Sequence, residues 1–110
     1  MGWLQRIFGL EKPADAAAAI AGKAASADIP PAKVGLDGQF DESGLAKRVV
    51  LAFDEDADVA DEDRLWVAQT SGTVVLKGTV SDQASLNKMV AIAGKVNGAT
   101  SVDTSQVTIG

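Results

Sequence analysis

The chain has 110 residues, 46% of them hydrophobic and 23% charged, a balance that suits one globular domain with a modest core. It contains no cysteine and no histidine, which removes disulfides, thiolate nucleophiles, imidazole bases and the usual ligands of zinc, copper and haem. A net charge of -5 argues against nucleic-acid binding, because a phosphate backbone is held by a basic surface.

Trp3, Leu4, Ile7, Phe8 and Leu10 fall largely on one side of a short helix, with Gln5 and Arg6 opposite. Glu11, Lys12 and Pro13 interrupt this apolar start before it reaches the length of a secretory signal or a membrane span, so the expected location is cytoplasmic. Pro13 suits the first turn of a second helix, Ala14 to Ala25, which is rich in alanine and carries Ile20 as its large aliphatic residue. Ile29-Pro30-Pro31 ends that helix and marks a boundary. Val34, Leu36 and Phe40, separated by Gly35 and Gly38, predict a short irregular strand or an ordered loop. Residues 1–40 thus read as a helical extension and residues 41–110 as the domain proper.

From Gly44 to Phe53, Leu45, Val49, Ala52 and Phe53 recur at helical spacing, and Lys47 and Arg48 are expected to face away from the core. Leu65 and Val67, then Val74, Leu76 and Val80, alternate about the turn Thr70–Thr73 and predict a hairpin with one core face. Ser81-Asp82 can cap a further helix with Leu86, Met89, Val90, Ala93 and Val96 on one side, ending at Asn97-Gly98. Val102, Val107 and Ile109 supply a last strand. The order α-β-β-α-β predicts an α+β two-layer sandwich, with two helices on one face of a three-stranded sheet. The other face would show Trp66 and Val75, and the first helix, through Trp3 and Phe8, is expected to cover it.

The acidic run Asp54 to Asp63 begins like a calcium loop, but Val59 stands at the sharp-turn position and Leu65 at the bidentate glutamate position, so it reads as a solvated turn. No glycine-rich phosphate cradle and no nucleophile–base pair is legible, and the expectation is a protein that is not an enzyme and uses no organic cofactor. The tight bend after the second domain helix offers backbone carbonyls at Val96, Gly98 and Ala99. Such carbonyls can hold a large, weakly hydrated monovalent cation, and if the first helix, ending at Gly9 and Leu10, docks nearby, two carbonyl clusters face one ion; otherwise the bend is an ordinary glycine-capped helix end whose carbonyls bond water.

Val74-x-Leu76-x-Gly78-x-Val80 with its following helix, and Gly98-x-x-Ser101-Val102, resemble the BON domain family over roughly residues 41 to 110. The resemblance implies a small bacterial binding module. Many members are associated with the cell envelope and bind phospholipid surfaces. The start Met1-Gly2-Trp3, the helix end Ala91 to Gly98 and the segment Ser101-Val102-Asp103 through Gln106-Val107 are similar to cytosolic members that join this domain to a LysM domain and bind potassium. That likeness implies a potassium-responsive module that uses the backbone carbonyls of Val96, Gly98 and Ala99 together with those of Ile7, Phe8 and Leu10. The alternatives are a phospholipid-surface module in which Trp3, Leu4, Ile7 and Phe8 enter the interface, and a protein scaffold that uses Trp66, Val75 and the amino-terminal stripe.

Overall fold

A computed structural model describes residues 2–110. In chain order it contains α1 (Trp3–Phe8), α2 (Ala16–Ala21), a 3-10 turn (Pro31–Lys33), α3 (Gly44–Asp54), β1 (Leu65–Thr70), β2 (Thr73–Val80), α4 (Gln83–Lys95) and β3 (Ser101–Ile109). The strands lie in the order β1-β2-β3, antiparallel across the β1–β2 hairpin and parallel between β2 and β3. A parallel pair needs a crossover, and α4 supplies it. The alternation of the two hairpin strands turns Leu65, Val67, Val74, Leu76 and Val80 inward, against Leu45, Val49 and Phe53 of α3 and Leu86, Met89 and Ala93 of α4. This is the α+β two-layer sandwich expected from the pattern.

The helix layer differs from expectation on its outer side. On α3, Ala46, Val50 and Leu51 are as fully buried as the sheet-facing residues. A helix apolar all round must be covered all round, and residues 3–34 provide the second cover. Trp3, Leu4, Ala19 and Val34 are buried, all but Val34 within the same continuous core as α3.

The first helix therefore does not cover the open face of the sheet. It docks against α3, where Trp3 meets Phe53 edge-on at 5.1 Å between ring centroids and its indole N–H donates to the Val59 carbonyl at 3.1 Å. Six residues cannot hold a helix in water unaided. The Asp54 carboxylate, at the end of α3, accepts from the backbone N–H groups of Trp3 (2.5 Å) and Leu4 (3.0 Å) and so caps α1 from a distant part of the chain. Arg6 closes the joint, with its guanidinium 4.6 Å from the Trp3 ring and 4.9 Å from the Trp66 ring while it donates to the Leu65 carbonyl at 2.9 Å.

One other expectation changes and one is decided. The alanine-rich helix begins at Ala16 rather than Ala14, because the Asp15 side chain caps it through Ala18 N–H at 3.0 Å, and it ends at Ala21, with Gly22 as its cap, rather than at Ala25. Of the two forms expected for residues 34–40, the ordered loop is the one present, closed by one antiparallel bridge between Val34 and Phe40. Among the described residues, no helix is long and apolar enough to cross a membrane.

Candidate functional site

Arg48 lies at the junction of the extension and the domain, and it is completely buried. Its sequence position explains this, because Leu45, Arg48, Val49 and Ala52 follow the i, i+3, i+4, i+7 spacing and share one stripe. The expectation that it faces solvent, paired with Lys47, was wrong: charge suggested exposure where spacing indicated burial. Burial pushes the guanidinium below its ordinary value without discharging it. No carboxylate pairs with it among the described residues. Its partners are three backbone carbonyls, Pro31 at 2.5 Å, Asn97 at 2.6 Å and Val34 at 2.8 Å.

Those carbonyls belong to segments far apart in sequence, and two glycines let them converge. Gly22 holds a left-handed φ of 68°, and a side chain there would run into the guanidinium. Gly98 has φ 101°, and a Cβ on it would sit 2.6 Å from the Pro31 oxygen. Gln69 stitches the same region from the sheet side, its amide oxygen accepting from Ala46 N–H at 2.8 Å and its amide nitrogen donating to the Ala32 carbonyl at 2.8 Å.

Beside this junction, α2, α3 and α4 leave an open groove of about 350 Å³ between them. Ile20, Ala21, Ala52, Ile92 and Val96 form its apolar walls, and Lys95 and Asn97 stand at its rim. Lys95 is exposed and makes no ion pair among the described residues. Two smaller depressions, near Leu10 and Lys12 and near Leu36 and Asp41, have charged walls, and their lysines are already paired: Lys12 with Glu55 at 3.0 Å, Lys47 with Asp41 at 2.6 Å.

The residues singled out from sequence fall in different places. Trp3 and Leu4 are 1% exposed, so neither stands free to enter a membrane or meet a partner; the indole hydrogen bond and the Asp54 cap hold them inside. Ile7 and Phe8 are half-buried, with the Lys47 ammonium 5.6 Å from the Phe8 ring, and Leu10 is exposed. Trp66 is 50% exposed on the open sheet face, whereas Val75, on the same face, is covered down to 9% between Ala68 and Asp103. The hydrogen bonds of α1 lead to Asp54, Val59, Glu62 and Leu65, and the close contacts of residues 96–99 lead to Arg48, Pro31 and Gly72. Within the bend, the Val96 carbonyl accepts from Ala99 N–H at 3.0 Å and the Asn97 carbonyl from Arg48. The acidic run splits in role: Asp54 caps α1, while Asp56 and Asp58 meet Lys88 at 3.6 and 3.2 Å. Among the described residues, no three acidic side chains are grouped to hold a metal ion.

A mixed three-stranded sheet with two helices on one face, and an apolar groove with Lys95 at its rim, define a small α+β domain. Residues 41–110 match the model of the BON domain, and the chain belongs to that family. No curated protein and no solved structure matches the chain closely enough to mark a relative.

Proposed function

We propose that the protein is a non-enzymatic, cytoplasmic binding module whose ligand is an anionic amphiphile of the phospholipid or fatty-acid kind. The observation that carries this reading is the groove between α2, α3 and α4. Its volume of about 350 Å³ accepts part of an acyl chain, its walls are apolar, and the free ammonium of Lys95 stands where an anionic head would emerge. Membership of a family of binding domains supports the same class of function. The test is a titration with a short-chain lysophosphatidylglycerol below its micelle concentration, followed by amide NMR. Saturable shifts at Ile20, Ala52 and Ile92, weakened about fivefold by Lys95→Glu, the size expected of one exposed charge pair, support it. Shifts confined to other surfaces, or an unaltered affinity in the variant, overturn it.

A second reading is potassium binding at the bend after α4. It is favoured by the carbonyls of Gly98 and Ala99, which accept no hydrogen bond outside the regular elements, and by the acidic net charge. Matched potassium and sodium chloride titrations of the amides of residues 94–101 separate the two readings. A selective, saturable potassium response belongs to the second alone.

A further inference from the structure

We propose that the Asn97-Gly98 turn is a self-modification site: its side-chain amide is lost as ammonia through a cyclic imide that water reopens to isoaspartate, with Arg48 promoting both steps. Asn97 is exposed, and among the described residues neither its side chain nor the Gly98 N–H is held in a hydrogen bond. Gly98 has no Cβ to hinder attack by its own nitrogen. The other asparagine of the chain, Asn87, lies within α4, is followed by Lys88, and accepts from the Gln83 amide at 2.9 Å. It serves as an internal control.

The distinctive element is the donor on the Asn97 carbonyl. Arg48 donates a charge-assisted hydrogen bond to that oxygen at 2.6 Å, inside a site where its own charge has no anion to meet. The carbonyl and the Gly98 N–H belong to one peptide group, so electron withdrawal at the oxygen makes the N–H more acidic. In the first step solvent hydroxide takes the Gly98 amide proton, and the nitrogen bonds to Asn97 Cγ. The Cγ–Nδ2 bond breaks, and the nitrogen departs with a solvent proton as ammonia. In the second step water adds to one of the two imide carbonyls. Addition at Cγ breaks the new N–Cγ bond and gives aspartate. Addition at the former backbone carbon breaks the N–C bond, leaves the chain running through Cγ, and turns the old carbonyl into a carboxylate.

The second route places its developing oxyanion on the atom to which the guanidinium already donates, so Arg48 favours isoaspartate over aspartate. The product gives the buried guanidinium a carboxylate in place of a carbonyl. It also lengthens the chain by one methylene next to Gly98, which is packed against Pro31 and leaves no room for it. Conversion therefore loosens the contact between the domain and the extension.

The experiment incubates the full chain in mildly alkaline buffer, once native and once unfolded in urea, and maps isoaspartate and aspartate at positions 97 and 87 by mass spectrometry and enzymatic methylation of isoaspartate. The expected result is conversion at Asn97 but not Asn87 in the native chain. The native rate should be about tenfold above the urea rate, the factor supplied by about 1.4 kcal/mol of stabilisation, with a raised isoaspartate-to-aspartate ratio. A native rate below the unfolded one, or a ratio equal in the two states, overturns the proposal.

Discussion

The two helices of the domain make an instructive pair. On α4, buried side chains are limited to Leu86, Met89 and Ala93, a single stripe toward the sheet, and the opposite face meets solvent. On α3, residues on every side are buried, including an arginine. Both helices pack on the same sheet face, so the difference comes from the amino-terminal residues, which cover α3 and leave α4 largely bare. The family domain supplies the sheet and both helices, and the extension converts one of those helices into the centre of the molecule. The open groove runs along the border where that cover stops.

Substitutions that strip the cover from α3 should have the largest effects. Trp3→Ala removes a buried indole, its hydrogen bond to Val59 and its contact with Phe53, and is expected to cost about 3–5 kcal/mol in chemical denaturation. If the loss is under about 1 kcal/mol, the extension is dispensable for the core and the comparison fails. Arg48→Leu keeps the bulk of the side chain but orphans three carbonyls, at an expected cost of about 3 kcal/mol. Faster amide exchange in residues 31–34 and 97–99 would locate the damage at the junction.

Asp54→Ala leaves α1 without its cap and should cost about 1–2 kcal/mol, with fraying of residues 3–8 seen by hydrogen exchange. On the α4 side, Lys88→Ala removes ion pairs to Asp56 and Asp58 that lie in solvent, and an unchanged thermal midpoint is the expected outcome. A further effect concerns pH. Burial raises the Asp41 carboxyl, but the Lys47 ammonium and the Ser43 N–H outweigh it and hold the group below the ordinary carboxylate value. A carboxyl lowered on folding stabilises fully above its unfolded value, and that contribution disappears as pH falls through the folded one. The stability gap between the wild type and Asp41→Asn should therefore be present at neutral pH and close on acidification.

Much of the domain was legible in the chain, because its signals are local. Alternation in Leu65-Trp66-Val67 and Val74-Val75-Leu76 marked the hairpin, and the Asp82 cap and Asn97-Gly98 bounded α4 almost to the residue. The charge of Arg48 points to solvent, although its interval from Leu45 and Ala52 puts it on the apolar stripe. In the sequence Asp54 belongs to a solvated acidic turn, and nothing local distinguishes it from Asp56. Its role depends on backbone N–H groups some fifty residues earlier in the chain.

The sequence by itself determined the element order, the core face of the sheet, the small binding-domain class and the absence of histidine and cysteine chemistry. Periodicity, caps and composition act over a few residues, and each is written where it acts. Only the tertiary structure decided that α1 lies on α3 rather than on the sheet, that one guanidinium gathers the carbonyls of Pro31, Val34 and Asn97, and that a groove opens beside Lys95. Backbone carbonyls are the same at every position, so which of them meet is settled by packing alone.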